Sequence, residues 1–141
     1  MHLNAHNAYR ADHQVSALVF DADIAAQAQA YAEELDNVIG SLVHSSSADR
    51  PGQGENLAWS SSTTQVQDTT WATDAWYNEV TNPGYDFNSP GFSSGTGHFT
   101  QVVWKGSTSL GCGVSGGYLV CRYSPPGNYL GQFDDNVFPK V

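Results

Sequence analysis

Four side chains in this sequence combine imidazole with carboxylate: His44, Glu55, Glu79 and His98. Neutral imidazole nitrogens bind Zn²⁺ and similar ions, and carboxylates either join them as ligands or hold the rings from behind. The same set could run acid–base chemistry on a bound water, with Glu55 or Glu79 as the base. The intervals are 11, 24 and 19 residues (44 to 55, 55 to 79, 79 to 98). They do not form the compact His-Glu-x-x-His pattern of a helical metal site. By spacing alone, each group could equally make an ordinary buried hydrogen bond or face solvent. No Gly-x-Ser-x-Gly elbow, P-loop or dinucleotide fingerprint accompanies them.

The segment that must position His98 is Gly97-His98-Phe99-Thr100-Gln101-Val102-Val103-Trp104. Its apolar residues are expected to bury themselves and leave His98 at the lip of a cleft. Upstream, His6, Tyr9, Arg10 and His13 fall at helical spacing, which predicts an N-terminal helix over 2–13 with its histidines packed or solvated rather than ligating. Asp21 is placed to cap a second helix. In it Ile24, Ala28, Tyr31, Leu35 and Val38 form one buried stripe, and Gly40 ends it. Ala25, Ala28 and Ala32 would let this helix lie close on a sheet. Leu42-Val43-His44 reads as a short edge strand. Val66, Thr70, Thr73, Trp76 or Tyr77, and Val80 predict one long helix over 64–79, stopped by Asn82-Pro83-Gly84.

The polar loop 85–96 contains three rings, Tyr85, Phe87 and Phe92. They either pin the loop to the core or face a ligand as a flap. Gly116-Gly117 is a two-residue hairpin turn. Counting outward pairs Ser115 with Tyr118, Val114 with Leu119, Gly113 with Val120 and Cys112 with Cys121. The last is a non-hydrogen-bonded pair, where strands approach most closely, so a cross-strand disulfide fits; two free buried thiols are the alternative. A disulfide implies an oxidising compartment. Pro125 and Pro126 end the sheet, and the tail from 129 to 141 reads as irregular.

The 141 residues suit one domain, 1–141. Five Lys and Arg stand against 14 Asp and Glu, a formal charge of −9. That excludes a phosphate-neutralising nucleic-acid surface and a polybasic grip on anionic lipid, but leaves a cation or an uncharged lipid. Charged residues make up only 13% of the chain, as in many extracellular proteins. No run approaches the ~20 apolar residues of a membrane span. Met1 reads as a start placed on a mature, secreted domain whose leader has been removed.

These residues resemble the CAP superfamily of cysteine-rich secretory, antigen-five and class-one pathogenesis-related proteins. Gly97 through Trp104 looks like one family signature. Tyr118 through Asn128, ending in Pro-Pro-Gly-Asn, looks like the other. Gly54-Glu55-Asn56-Leu57 and His6-Asn7-x-x-Arg10 also fit. The pattern is most similar to fungal secreted sterol-binding members. The resemblance implies an α+β fold, a three-layer α-β-α sandwich with a small, mainly antiparallel central sheet and long loops. It also implies a cavity tetrad of His44, Glu55, Glu79 and His98, with His44 and His98 as ligands of a divalent cation, Zn or Mg. Tyr85-x-Phe87-x4-Phe92, with Pro90 inside it, resembles the loop that serves sterol binding. Some relatives hold a fatty acid between helices, here expected between 21–39 and 97–104. The implied function is a secreted lipid carrier. The alternatives are a metal-dependent hydrolase using Glu55 or Glu79, and an interaction module recognising a host or microbial receptor in defence or virulence.

Overall fold

The structure is a computed structural model and describes residues 1–141. Four strands form one sheet in the order β1-β3-β4-β2: β1 (Val19–Phe20), β2 (Gly54–Trp59), β3 (Ser109–Ser115) and β4 (Tyr118–Ser124). Only β1 runs parallel to its neighbour, β3; the β2·β4 and β3·β4 pairs are antiparallel. The hairpin register is the one counted from the turn, Ser115 opposite Tyr118 through Cys112 opposite Cys121. The two cysteines form a disulfide, with Cα atoms 4.1 Å apart.

Side chains alternate across β4, and this alternation separates two cores. Tyr118 and Val120 pack with Leu57 against Ala28, Tyr31, Ala32 and Leu35. These belong to α2 (Ala22–Glu34) and the widened π turn that prolongs it (Leu35–Ile39). Asp21 caps α2 as expected, its Oδ1 accepting from the Asp23 and Ile24 amides at 2.9 and 3.0 Å. On the opposite face Leu119, Cys121 and Tyr123 pack with Trp76, Phe99, Val102 and Trp104. That layer holds α1 (His2–Asp12), α3 (Thr63–Asp68), α4 (Trp71–Asn78) and α5 (Gly97–Val102). Burying a ring such as Phe99 is worth ~1.5–3 kcal/mol. The architecture is therefore mixed α+β, with a central sheet flanked by helices.

Helix α2 lies against β3 at backbone contact. A Cβ on Gly111 would sit 2.2 Å from the Ala25 amide nitrogen, and one on Gly113 2.2 Å from the Gln29 Cα. Only glycine allows this approach.

Four expectations are corrected. Leu42-Val43-His44 forms no strand; the Val43 carbonyl accepts from the Tyr31 hydroxyl at 2.6 Å instead, and the fourth strand is β1. The helix expected over 64–79 is two helices, α3 and α4. Thr69 between them is extended, and its hydroxyl binds the Gln65 carbonyl and accepts from the Trp71 amide. Such local side-chain bonds compete with helix continuation. Val38 is 79% exposed, because the π turn carries more residues per turn than an α-helix and rotates it off the buried stripe. Finally, no fatty-acid groove can lie between α2 and α5, since they cover opposite faces of the sheet.

The N-terminal histidines are packed. His6 is fully buried; its Nδ1–H donates to the His2 carbonyl at 2.8 Å and its Nε2 accepts from the Tyr123 hydroxyl at 2.6 Å. Both bonds suit the neutral ring, and burial pulls its pKa down to about 3. Burial also lowers His2 and His13. The unfolded chain therefore takes up protons first, near the ordinary histidine value of about 6.5. Stability is lost as pH falls below that value and continues to fall toward about 3. His6 alone is expected to remove ~2 kcal/mol between pH 7 and pH 5. Urea melts at the two pH values measure this, and equal midpoints would contradict it.

Candidate functional site

Strand β2 is a sheet edge, and its successive residues point to opposite faces. Glu55 faces the α2 side. Its side chain is fully buried, and it accepts from His44 Nδ1 at 2.9 Å, the Ser45 amide at 3.0 Å, the Ser45 hydroxyl at 2.7 Å and Arg122 Nε at 3.0 Å. Burial pushes this carboxyl up, but the hydrogen bonds from His44 and Ser45 and the charge of Arg50 outweigh it and hold the pKa below the ordinary value. Asn56 faces the other side. Its Nδ2 donates to the His98 carbonyl and to the Tyr123 hydroxyl, both at 3.2 Å. Two neighbouring residues of one strand thus hold one imidazole by its ring and the other by its backbone.

His98 stands at the second position of α5. Its Nδ1 donates to Glu79 Oε2 at 2.8 Å, and Glu79 Oε1 accepts the Phe99 amide at 3.0 Å. Glu79 closes α4, so α4 and α5 are joined through this carboxylate. The two signature segments meet beside it. Asn128 Nδ2 donates to the Gly97 carbonyl at 2.9 Å, its Oδ1 accepts from the Thr100 hydroxyl at 2.6 Å, and Gln101 Oε1 accepts from the Gly127 amide at 2.9 Å.

The four residues form two His–Glu pairs, and both imidazoles line one hollow of about 350 Å³ at the edge of β2. Each ring spends Nδ1 on a carboxylate, which leaves Nε2 as the nitrogen available to a ligand. No group of three or more His, Cys, Asp or Glu side chains gathers at one point. A cation here would have two imidazoles as its protein ligands. Glu55 has Arg122 against it, which makes it part of a buried ion pair. Sequence reasoning missed Ser45, Asn56 and Arg122. Pairing β2 with β4 would have set Arg122 opposite Glu55, but nothing in the sequence fixes that pairing.

The three loop rings separate. Tyr85 and Phe87 pack edge-on with each other, centroids 4.9 Å apart, and both reach Phe99, at 5.7 and 6.4 Å. Phe92 remains 55% exposed and borders the two-histidine hollow; a Cβ on Gly97 would meet its ring at 3.0 Å. Pro90 is exposed on the same loop. No helix is long and apolar enough to cross a membrane.

With this sheet, these flanking helices and these two motifs, the chain belongs to the CAP, or cysteine-rich secretory protein, family, whose profile matches residues 3–123. It is similar to Protein PRY2 of Saccharomyces cerevisiae, 44% identical over 144 residues, covering 97% of this chain and 40% of that protein. It is also similar to the human Golgi-associated plant pathogenesis-related protein 1, 40% identical, covering 97% of this chain and 90% of that protein. A third relative is the Nicotiana tabacum pathogenesis-related protein 1C, 42% identical, covering 93% of this chain and 77% of that protein. Near-equal identities to a yeast, a human and a plant protein single out no fungal subgroup. Among solved structures, Na-ASP-1 superposes with a TM-score of 0.76 at 26% identity, covering 92% of this chain and 39% of that one. NaASP2 determined with Zn²⁺ superposes with a TM-score of 0.71 at 24% identity, covering 99% and 84%; at that identity it speaks for the fold alone.

Proposed function

We propose that residues 1–141 are a secreted CAP domain that binds an uncharged lipid of the sterol class beside the 85–96 loop and holds a divalent cation through His44 and His98. The observation that carries this reading is Phe92. It is the one ring of three not packed on Phe99, and it leaves an apolar surface at the mouth of the hollow shared by both imidazoles. An exposed ring beside a cleft is apolar area available to a ligand. The formal charge of −9 disfavours anionic membranes and favours neutral lipid and cations. Two imidazoles suit Zn²⁺ better than Mg²⁺, which prefers oxygen. When bound, the ion would supply a fixed positive charge joining the two His–Glu pairs across the edge of β2.

The hydrolase alternative needs a free carboxylate as base. Glu55 already holds His44, Ser45 and Arg122, and Glu79 holds His98 and the Phe99 amide, so a base role would compete with holding these groups. The carrier reading asks for no such group.

Phe92→Ala is expected to weaken cholesterol binding about tenfold while leaving the thermal midpoint unchanged, because the ring is largely outside the core. Unchanged affinity in that variant would remove the lipid reading. Calorimetric titration with Zn²⁺ tests the cation separately: His44→Ala and His98→Ala should each abolish the heat of binding.

A further inference from the structure

Asn56 lines the same hollow as His44 and His98, and its amide can take only one orientation there. The reason begins in α1. The His2 carbonyl is an acceptor only, so the His6 Nδ1 at 2.8 Å from it carries the ring proton. His6 Nε2 is then an acceptor, and the Tyr123 hydroxyl spends its proton on it at 2.6 Å. The Tyr123 oxygen can therefore only accept from Asn56, at 3.2 Å. The His98 carbonyl, also 3.2 Å away, makes the same demand. Both bonds require the NH₂ end of the amide, so each by itself forbids the flipped form. The amide oxygen, Oδ1, is turned the other way.

Asn56 is only 2% exposed. Its Oδ1 accepts no hydrogen bond from the protein, yet it keeps accessible surface. The hollow is the cavity that Asn56 borders. The other two amide side chains on that lining are spent at both ends. Asn128 bonds Thr100 and the Gly97 carbonyl, and Gln101 bonds the Gly127 amide and Ser107. Arg50 donates to the Ser45 hydroxyl and the Gln53 carbonyl. Each neutral imidazole gives its Nδ1 proton to a carboxylate and keeps a lone pair on Nε2. Among the imidazoles and amides of the lining, the unspent atoms are thus two nitrogens and one oxygen. All three are acceptors, which suits a cation.

We propose that Asn56 Oδ1 is the third protein ligand of the cation site, making the donor set two imidazole nitrogens and one amide oxygen. This rests on the cation reading above. The mixed set favours a borderline divalent ion such as Zn²⁺, which takes nitrogen and oxygen ligands together. The buried relay from His2 through His6 and Tyr123 then has a use: it keeps the oxygen, and not the NH₂ group, toward the ion.

The test titrates the full chain with ZnCl₂ and follows its side chains by NMR. The Asn56 carbonyl carbon should shift in step with the Nε2 resonances of His44 and His98, while the carbonyl carbons of Asn128 and Gln101 stay in place. Calorimetry then compares Asn56→Leu with Tyr123→Phe. Leucine keeps the volume and removes the oxygen, so Zn²⁺ affinity should fall about tenfold or more. Tyr123→Phe breaks the relay in the core but leaves the amide held by the His98 carbonyl. Its thermal midpoint should fall, because His6 loses its donor, while its Zn²⁺ affinity stays near the wild-type value. Equal losses of affinity in the two variants would overturn the proposal, since a role confined to the fold moves both. An Asn56 carbonyl that stays still while both imidazoles shift would also overturn it, and that result needs no variant to fold. If the imidazoles do not shift either, the cation reading itself falls, and this inference with it.

Discussion

Arg10→Met is expected to cost at least ~4 kcal/mol of folding stability, much of a typical total of about 5–15 kcal/mol. Arg10 is 1% exposed and has no carboxylate partner. Its guanidinium donates to four backbone carbonyls: Ser16 at 2.8 Å, Val102 at 3.0 Å, Trp104 at 2.9 Å and Ser107 at 2.9 Å. Val102 and Trp104 lie at the C-terminal end of α5, where carbonyls lack helical partners and the helix dipole favours a cation. Burial pulls the guanidinium down to about 10, so it stays charged at neutral pH. Methionine fills the volume of the stem but leaves these acceptors unpaired in the core. Guanidinium chloride melts at pH 7 give the number, and a loss below about 1 kcal/mol would show that water or rearranged backbone replaces the guanidinium. Because α5 also carries His98, the variant should bind Zn²⁺ more weakly even where it remains folded.

Glu55→Gln and Glu79→Gln should behave differently, although the sequence presents the two carboxylates as equals. Glu55 is the counter-charge of Arg122, whose side chain is 4% exposed. Removing one member of a buried pair strands the other, and the expected cost is ~3–5 kcal/mol. Glu79 has no Arg or Lys against it and is partly exposed. Its neutral variant should unfold near the wild-type midpoint and instead lose 10- to 100-fold in Zn²⁺ affinity, the usual price of removing a carboxylate behind a ligating histidine. Thermal melts and Zn²⁺ titrations of both variants decide the matter. Equal melting points would mean that the Glu55–Arg122 pair contributes no net stability.

The parts legible in the sequence are those where several local signals agree. At the hairpin, the Gly116-Gly117 turn, the alternation of β4 and the spacing of two cysteines all specify one register. Helix α2 has both a cap and a stripe. The parts that were not legible depend on distant backbone. Val19–Phe20 is too short for any period to show. Thr69 interrupts a helical pattern through its own hydroxyl, and threonine is not a strong breaker by type. The division of the site across two faces needs the knowledge that β2 is an edge, where Glu55 reaches the His44 ring and Asn56 the His98 carbonyl. Four carbonyls awaiting Arg10 have no signature at all, since every residue has one.

The glycine strip on β3 carries a consequence for how the molecule opens. With the α2 backbone seated on Gly111 and Gly113, and Cys112 between them bonded to Cys121, helix and hairpin cannot separate by small steps. Their amides should exchange with deuterium only through global unfolding, while the 85–96 segment exchanges through local opening. One half of the chain thus serves as a stiff frame, and local opening is expected in the other.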